Sequence, residues 1–555
     1  MGVKIIKNTD LAYSYPLLIK NILSAPLVHS PDQEIIYSNK NQYTYKTLSK
    51  RVACLANLLG ELGINQGDTI GVMDWDSHRY LECYFAIPMA GAILHTINIR
   101  LSSDHLVYTI NHAKDDVLFV NEEFLSLLEP IMDQLDTVKT LILISDDDHD
   151  DTHDGNRSDT DLEFYGDYEA LMAKVSDQYI FPDFDENAVA TLFYTTGTTG
   201  LPKGVYFTHR QIVLHTYGFM SGLCAYDGPL NINSGDVYMP LTPMFHVHAW
   251  GMPYLFTMLG NKQVYPGRFS PKKVLKLAQN HKVTFSHCVP TIVHMLLDEP
   301  VIDLIDVPEW KLIVGGSALT RDLCKRAQQK NMILFAAYGM SETCPLLTIS
   351  NLKHHMNDWE KEDQINVRCL AGLPVPNVYI EIVNKSGTPL PHDGESTGEI
   401  VARSPWLTQG YYNDEKKSEE LWKDGWLRTG DIGTINPDGY LKITDRIKDV
   451  IKTGGEWISS LELEDIITRH EAVSEAAVIG VFDNKWGERP LAVVVLREEY
   501  KHKVKAEALR MFFLNHAESG AIPKFCVPER IEIVEYIAKT SVGKVNKKEL
   551  RAQFI

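Results

Sequence analysis

The sequence lacks several features that would place it in a specialised class of protein. None of its apolar runs is long enough to cross a bilayer as a helix, which argues against a membrane-embedded protein. Its eight cysteines are scattered and include no C-x-x-C pair, so the sequence gives no sign of a disulfide framework. The 54 basic residues are outnumbered by 73 acidic ones, and the net charge of -19 disfavours non-specific binding to nucleic acid or to an anionic membrane surface.

Targeting signals are also missing from the first residues. The stretch MGVKIIKNTDLAYSYPL has no apolar core of a secretory signal, and Ile6 stands where N-myristoylation would need Ser or Thr. Scattered cysteines are typical of proteins from a reducing compartment. We therefore expect a cytoplasmic enzyme or binding protein without stable membrane insertion.

The composition that remains is that of a folded globular protein. Hydrophobic residues make up 44% and charged residues 23% of the chain, which argues against a disordered or collagenous protein. At about 150 residues per domain, 555 residues allow three to four compact units, or one large body with an appendage.

Alternating patterns predict a mostly parallel sheet in the first part of the chain. A helical stretch at residues 47–62 alternates with short aliphatic runs at 69–73, 117–120 and 141–145, as in βαβ units. The segment DDDHDDTHDGNRSDTD at 146–161 interrupts this pattern. Its Asp and His residues suggest metal capture, but its composition favours a solvated surface loop.

The pattern resumes and then changes towards the C-terminus. A strand is expected at 189–194 and a helix from Arg210 onward, whereas short strands at 378–383, 398–401 and 439–443 indicate a small β-rich subdomain at about 370–445. We predict an α/β fold with an N-terminal domain at 1–445 and a small α+β C-terminal domain at 446–555. No internal repeat is present.

A turn rich in glycine and threonine, YTTGTTGLPKG at 194–204, follows the strand expected at 189–194. Glycines allow backbone N–H groups to point at one anion, threonine hydroxyls add donors, and Lys203 adds a positive charge. This composition predicts a phosphate-binding loop, although a flexible loop without a ligand is the alternative. It is not a Walker A loop, because Lys203 is followed by Gly204 rather than by Ser or Thr.

Six further stretches, together with this turn, strongly resemble the AMP-forming acyl-CoA synthetases of the adenylate-forming superfamily, which also holds luciferases and peptide-synthetase adenylation domains. In chain order they are PMFH at 243–246, GGSAL at 315–319, YGMSET at 338–343, DGWLRTGD at 424–431, DRIKD at 445–449 continuing through GGE at 454–456, and AKTSVGKV at 538–545. The resemblance covers nearly the whole chain.

The resemblance implies a reaction in two halves, with ATP, Mg²⁺ and coenzyme A. A carboxylate attacks the α-phosphorus of ATP to give an acyl-adenylate and pyrophosphate, and the CoA thiol then displaces AMP. Because both halves move negative charge, cations and fixed donors are expected to carry the catalysis. The phosphate loop would consist of Thr195, Thr196, Gly197, Thr198, Thr199, Gly200 and Lys203.

The same resemblance assigns the remaining nucleotide contacts. Glu342 would bind Mg²⁺ and Thr343 the α-phosphate, although Ser-Glu-Thr equally fits a helix N-cap. Asp431 would bind the ribose hydroxyls, or else cap a turn. Arg446 would bind the ribose or α-phosphate, or else pair with Asp445 or Asp449 at the surface. The other predicted AMP contacts are Gly316, Ser317, Ala318, Tyr338, Gly339, Met340 and Ser341.

The C-terminal residues are expected to act by moving. By resemblance, Lys544 enters the site during adenylation, Lys448 is the hinge of a mobile C-terminal domain, and the CoA channel is opened by Gly454, Gly455, Glu456 and Trp457. From composition alone, Lys544 belongs to a solvated basic surface, and the glycine pair to a hairpin with a packed tryptophan.

The acyl pocket is expected to be lined by His246, Trp250, Gly315, Tyr338, Gly339 and Met340. Trp250 is expected one helical turn beyond His246. Acetate-specific members carry Trp where this chain has Gly339, so glycine is interpreted as leaving the pocket open. A metal site at His246 and His248 is not favoured, because no acidic or cysteine partner accompanies them.

We therefore predict a CoA ligase for a medium-chain fatty or small substituted aliphatic acid, with the stretch FHVHAWGMPY resembling the medium-chain and methylmercaptopropionate ligase branch. The alternatives are an aromatic or short-chain acid, a carrier-loading adenylation enzyme, a luciferase-like oxygenase and a non-catalytic nucleotide-binding protein. A homodimer is expected because dimers are common in the family.

Overall fold

The computed structural model describes residues 3–7, 9–146, 160–195, 201–453, 456–501, 503–540 and 545–554. Several predictions fall outside the described residues: those on the acidic segment beyond Asp146, and on Thr196, Gly197, Thr198, Thr199, Gly200, Gly454, Gly455 and Lys544. The predictions for the Glu456 and Trp457 side chains also lie outside what the structure describes.

The strands, numbered in chain order, are β1 Glu34–Tyr37, β2 Asn41–Thr44, β3 Thr69–Met73, β4 Ile93–Thr96, β5 Asp115–Asn121, β6 Thr140–Ile144, β7 Gly166–Asp167, β8 Val189–Thr195, β9 Lys203–Thr208, β10 Val237–Tyr238, β11 Lys262–Tyr265, β12 Phe285–Cys288, β13 Trp310–Val314, β14 Met332–Gly339, β15 Leu346–Ile349, β16 Leu373–Pro374, β17 Tyr379–Val383, β18 Gly398–Arg403, β19 Trp422–Lys423, β20 Trp426–Ile435, β21 Leu441–Arg446, β22 Ile451–Thr453, β23 Glu456–Ile458, β24 Val473–Asp483, β25 Gly487–Leu496 and β26 Arg530–Ile533.

The α-helices are α1 Lys20–His29, α2 Tyr45–Glu61, α3 His78–Met89, α4 Ser103–Ala113, α5 Leu125–Leu128, α6 Tyr168–Met172, α7 His209–Cys224, α8 Met252–Met258, α9 Pro271–His281, α10 Pro290–Leu297, α11 Arg321–Gln328, α12 Lys361–Arg368, α13 Glu415–Leu421, α14 Ser460–Thr468, α15 Ala506–Glu518 and α16 Lys547–Phe554. None of the helices in the described ranges is long and apolar enough to cross a membrane.

Two large sheets form the N-terminal body. One has the strand order β7-β6-β5-β3-β4-β8-β9 and is parallel except for its last pair, β8 and β9. The other has the order β16-β15-β14-β13-β12-β10-β11-β1-β2 and is parallel in its centre. The strands expected at 69–73, 117–120, 141–145 and 189–194 all belong to the first sheet, so the prediction of parallel βαβ units is confirmed.

Two smaller sheets follow. Strands β17, β18, β20, β19 and β21 form an antiparallel sheet that contains the three short strands expected after residue 370. Strands β23, β22, β25, β24 and β26 form the sheet of the C-terminal part, which α14, α15 and α16 accompany. The described residues therefore confirm the α/β body, the β-rich portion and the α+β C-terminal part.

Side-chain caps explain where helices α2 and α7 begin. The Thr44 side chain accepts the N–H of Thr47 at the start of α2. Thr208 and Gln211 form a capping box at the start of α7, directly after β9. Each cap satisfies an N–H group that has no partner within the helix. Both predicted helices are present and begin one or two residues earlier than expected.

The hydrophobic core joins the three sheets of the N-terminal body. Its largest cluster contains Val72 on β3, Phe119 on β5, Ile313 on β13 and Ile400 on β18. The C-terminal sheet has separate clusters of its own. The chain passes from the N-terminal core to the C-terminal clusters in the few residues between β21 and β22, where Lys448 is exposed. The domain boundary and the hinge at Lys448 remain predictions.

Candidate active site

The two ends of the glycine-rich turn are held together by an antiparallel pair of strands. Strand β8 ends at Thr195 and β9 begins at Lys203, and the register places these two residues opposite each other. Below the turn, the Tyr194 hydroxyl lies 2.8 Å from Nδ1 of His112. The described residues thus fix Thr195 and Lys203 at the base of the predicted phosphate loop.

Lys203 lies against an aromatic ring and close to an acidic side chain. Its Nζ atom is 4.3 Å from the ring centroid of Tyr411, a cation–π contact. Burial lowers the pKa of Lys203, and the charges of Lys417 and Lys448 act in the same direction, while the Glu342 carboxylate opposes this shift. The lysine is therefore placed in a partly desolvated site where a phosphate would be attracted strongly.

Glu342 follows β14 in a short 3₁₀ turn, residues Ser341–Thr343. Its side chain is 8% exposed, and Oε1 accepts a hydrogen bond of 2.7 Å from the Tyr411 hydroxyl. The backbone carbonyl of Glu342 accepts the N–H of Thr408 at 2.9 Å. A carboxylate fixed in this way beside Lys203 has the oxygen chemistry that Mg²⁺ prefers.

Tyr411 is the residue of this group that the sequence analysis missed. It lies in the segment after β18 and forms a β-bridge with Val205, while the N–H of Tyr412 donates to the carbonyl of Gly204 at 2.8 Å. Tyrosine has no charge at neutral pH, and no motif considered above includes it. The signal that would have identified Tyr411 is the pairing of the GYYN segment with the strand after the phosphate loop. This pairing joins distant parts of the chain and is visible only in the folded structure.

The Thr343 hydroxyl is already used by the backbone. It is fully buried, accepts the N–H of Met340 at 3.0 Å, and lies within hydrogen-bonding distance of the Pro345 carbonyl. To donate to the α-phosphate, the Thr343 hydroxyl proton would have to turn away from the backbone carbonyls of Met340 and Pro345. In this structure Thr343 shapes the turn that carries Glu342.

Three residues come together at the predicted ribose position. The Tyr338 hydroxyl donates to Oδ2 of Asp431 at 2.7 Å, and Nε of Arg446 lies 3.2 Å from Oδ1 of the same carboxylate. Strand pairing between β20 and β21 places Asp431 opposite Arg446. The carboxylate is nearly buried, whereas the Arg446 side chain is 56% exposed.

The alternative ion pairs suggested for Arg446 differ from those found. Its guanidinium pairs with Asp431, while Asp445 accepts the backbone N–H of Ser460 at 2.7 Å, and Asp449 pairs with Arg551 at 2.7 Å. Both aspartates therefore bind the C-terminal part of the chain. The register of β20 against β21 accounts for the choice of Asp431.

The glycine turn after β13 is open to solvent. Gly316, Ser317 and Ala318 are exposed, and Gly316 has a φ of +82°, which favours glycine. The turn lies between β13 and α11, and Thr320 caps α11 by accepting the N–H of Leu323. An exposed turn of this kind permits the close approach of a flat ring to the backbone.

The segment after His246 is a left-handed turn, which differs from the expected right-handed helical turn. Val247, His248, Ala249 and Trp250 have φ values of 47°, 54°, 46° and 59°, and Gly251 continues the turn at 74°. Residues other than glycine rarely adopt this backbone conformation. Four such residues in succession must therefore be held in it by contacts with the surrounding structure. Trp250 is therefore not placed one α-helical turn from His246.

Three buried side chains anchor the chain just before this turn. Asp76 accepts the N–H of Met244 at 2.7 Å, the Tyr84 hydroxyl donates to the Met244 carbonyl, and the Thr96 hydroxyl donates to the Phe245 carbonyl at 3.0 Å. Burial raises the pKa of Asp76 to about 7. These contacts fix the backbone immediately before His246.

The left-handed turn places Trp250 against the glycine turn that follows β13. A Cβ atom built on Gly315 would lie 3.1 Å from Cη2 of Trp250, and the Trp250 ring is 5.1 Å from that of His287. His248 points elsewhere, because it packs against Phe193 and Phe207. Burial lowers the pKa of His248 to about 3, so its ring is neutral. Trp250 and Gly315 therefore lie beside each other, and their assignment to the acyl pocket remains a prediction.

Gly339 is closely surrounded by backbone atoms. A Cβ atom built at this position would lie 1.7 Å from the carbonyl oxygen of Pro345. The same carbonyl accepts the N–H of Met340 at 3.2 Å. Glycine is therefore required here by the close approach of two backbone segments, and an open pocket does not by itself explain it.

Comparison with protein families agrees with this geometry. The AMP-binding enzyme model matches residues 25–412, and the model of the AMP-binding enzyme C-terminal domain matches residues 462–544. A long-chain-fatty-acid–CoA ligase of Thermus thermophilus is 38% identical over 92% of this chain and 90% of its own length. A 3-methylmercaptopropionyl-CoA ligase of Ruegeria lacuscaerulensis is 36% identical, with 97% of each chain covered.

Solved structures share the fold. The anthranilate CoA ligase AuaEII in complex with anthranoyl-AMP superimposes with a TM-score of 0.84, at 23% identity, over 97% of this chain and 98% of that one. The fold, the family models and the full-length relatives agree with the motifs that the sequence carries. The chain belongs to the AMP-binding enzyme family, among its AMP-forming acyl-CoA ligases.

Proposed function

We propose that this ligase activates a medium-chain fatty acid or a small substituted aliphatic acid through an acyl-adenylate. One observation carries the proposal. The short stretch from Tyr338 to Glu342 reaches Asp431 at one end and Tyr411 at the other, while Ala337, one residue earlier, contacts the Gly315 position beside Trp250. A single segment therefore joins the proposed sites for ribose, phosphates and acid.

The proposed mechanism follows from the charges along this segment. Lys203 would neutralise the departing pyrophosphate, and Asp431 would hold the ribose through its carboxylate. Glu342 would hold Mg²⁺, which supplies positive charge to the phosphates when it is bound. Because the side chains of Glu342 and Asp431 are already fixed by tyrosine hydroxyls, little reorganisation is needed when ATP binds.

The acid-binding end favours an aliphatic substrate. An aromatic acid was the alternative because Trp250 and Tyr338 might enclose a ring. The Tyr338 hydroxyl binds Asp431, so the tip of this side chain is held at the proposed ribose end. The two relatives described above are named for a long-chain fatty acid and for methylmercaptopropionate, and both of these acids are aliphatic.

The second half-reaction depends on predicted roles in the C-terminal part. We assign the hinge to Lys448, the CoA channel to residues 454–457 and the adenylation lysine to Lys544. Free thiols at all eight cysteines are compatible with a cytoplasmic location, which belongs to the same proposal together with a homodimer.

The test is release of pyrophosphate and AMP from ATP with Mg²⁺, with and without CoA. The panel of acids runs from acetate to decanoate and adds benzoate and methylmercaptopropionate. We expect a CoA-dependent maximum at a medium-chain acid or at methylmercaptopropionate. A maximum at benzoate or acetate would contradict the proposed acid class. Adenylate formation without CoA-driven turnover would indicate a carrier-loading or luciferase-like enzyme.

A further inference from the structure

Tyr411 contacts both charged side chains of the proposed phosphate site. Its hydroxyl is 2.7 Å from Oε1 of Glu342, and its ring centroid is 4.3 Å from Nζ of Lys203. Building on the proposed function, we propose that Tyr411 is a positioning residue that keeps Lys203 and Glu342 apart, so that the lysine stays available to phosphate and the carboxylate to Mg²⁺.

The backbone fixes Tyr411 between the two elements that carry these charges. On one side, residues 411 and 412 pair with Val205 and Gly204 at the start of β9, beside Lys203. The Thr408 hydroxyl also donates to the carbonyl of Tyr206 on β9, at 3.1 Å. On the other side, the N–H of Thr408 donates to the carbonyl of Glu342. The segment 408–412 is therefore hydrogen-bonded both to β9 and to the turn that carries Glu342. These bonds hold Tyr411 in a fixed position relative to both.

The chemistry of Tyr411 allows it to bind Lys203 and Glu342 while keeping them apart. Tyr411 is 7% exposed, and its hydroxyl donates to the Glu342 carboxylate at 2.7 Å. Its hydroxyl satisfies the carboxylate, and the negative face of its ring attracts the ammonium. The Glu342 carboxylate thus binds the Tyr411 hydroxyl, and the Lys203 ammonium binds the face of the Tyr411 ring.

Without this residue the two charges would attract each other directly. The Glu342 carboxylate raises the pKa of Lys203, yet in the part of the chain that the structure describes the two side chains form no ion pair within 4.0 Å. In a partly buried site such a pair is favourable once the competing hydrogen bond is removed. A direct pair would engage the carboxylate that Mg²⁺ needs and the lysine that the phosphates need.

The first experiment measures Mg²⁺ dependence. Tyr411→Phe removes the hydroxyl and keeps the ring, and we expect the Mg²⁺ concentration for half-maximal pyrophosphate release to rise about tenfold or more. The KM for the acid should change less than about twofold, because Tyr411 lies at the phosphate end. Tyr411→Leu removes the ring as well and should also raise the KM for ATP. Tyr412→Phe is the control and should behave as the unmodified protein, since that ring packs against His112 and Tyr206.

The second experiment does not depend on turnover. Lys203 is acylated with an amine-reactive reagent in the absence of ATP, and its modification is followed by peptide mass spectrometry. A direct pair with Glu342 would keep the lysine protonated, so Tyr411→Phe should lower its labelling rate several-fold, whereas Tyr412→Phe should leave the rate unchanged. An unchanged labelling rate in Tyr411→Phe would overturn the positioning role, even if the ligase activity is as proposed. Reduced labelling together with no pyrophosphate release from the unmodified protein would retain the positioning role and reject the proposed function.

Discussion

Single residues in the site are constrained by backbone contacts as much as by ligand chemistry. Gly339 illustrates this, because the space for its Cβ is filled by the carbonyl of Pro345. Gly60 is a useful contrast: it lies exposed within α2, and a Cβ atom there would have no neighbour within 4 Å. Substitution by alanine is therefore expected to have opposite effects on the stability of the protein at Gly339 and at Gly60.

Gly339→Ala should destabilise the protein by about 2–3 kcal/mol or more, because backbone must move to accept the methyl group. Gly60→Ala should stabilise it by up to about 1 kcal/mol, because alanine favours the helix. Thermal unfolding midpoints of the two variants provide the measurement. Equal midpoints would show that the site relaxes around residue 339 without cost.

The sequence identified the charged residues of the site but not the residue that organises them. Lys203, Glu342, Asp431 and Arg446 lie in the motifs by which the sequence resembles the acyl-CoA synthetases. In the structure Asp431 and Arg446 form an ion pair, whereas Lys203 and Glu342 each contact Tyr411. Tyr411 has no such signature. Its role arises from the pairing of residues 205 and 411, which are far apart in the sequence.

At the scale of elements, the left-handed turn at residues 247–251 was the least predictable feature. Its residue types favour right-handed or extended backbone, so a local pattern predicts an ordinary turn there. The backbone just before this turn is fixed by Asp76, Tyr84 and Thr96, which are distant in the sequence. By contrast, the strands of the parallel sheet were predicted nearly to the residue because their apolar runs fill both faces of that sheet.

The Asp76 anchor predicts a pH effect. Its pKa of about 7 in the folded protein lies above the ordinary 3.8, so the folded protein holds a proton that the unfolded chain loses. The stability contributed by this proton is present at low pH and is lost as the pH rises through about 7. Asp76→Asn removes this dependence and keeps an acceptor for the Met244 N–H. Relative to the unmodified protein, the variant should gain about 2–3 kcal/mol between about pH 5 and pH 8.

Thermal unfolding of both proteins at several pH values measures this effect. The variant's midpoint should rise relative to that of the unmodified protein as the pH increases. Parallel curves would show that Asp76 is ionised in the folded protein throughout this range.

At the scale of the whole molecule, the chain between β21 and β22 connects two bodies with separate cores. The N–H of Asp449 donates to the carbonyl of Arg446 at 2.9 Å, which places Ile447 and Lys448 at the centre of a tight turn. Proline at the second central position would restrict Ile447 and disturb this turn.

We expect Lys448→Pro to retain ATP–pyrophosphate exchange and to lose most thioester formation, because only the second half-reaction requires the proposed rotation. Lys448→Ala is the matched control and should support both half-reactions. The two rates are measured separately, with preformed adenylate for the second. Unchanged overall turnover in Lys448→Pro would contradict a hinge at this position.

The separate cores also bear on how such a ligase can diversify. The C-terminal part is packed around residues such as Val478 and Phe513, which belong to a cluster distinct from the one that contains Trp250. Substitutions at Trp250 and Gly315, the proposed wall of the acid site, are therefore expected to leave the packing of the C-terminal part unchanged. On the proposed function, the specificity for the carboxylic acid can change through substitutions in the N-terminal body alone. The part proposed to transfer the acyl group to CoA then stays the same.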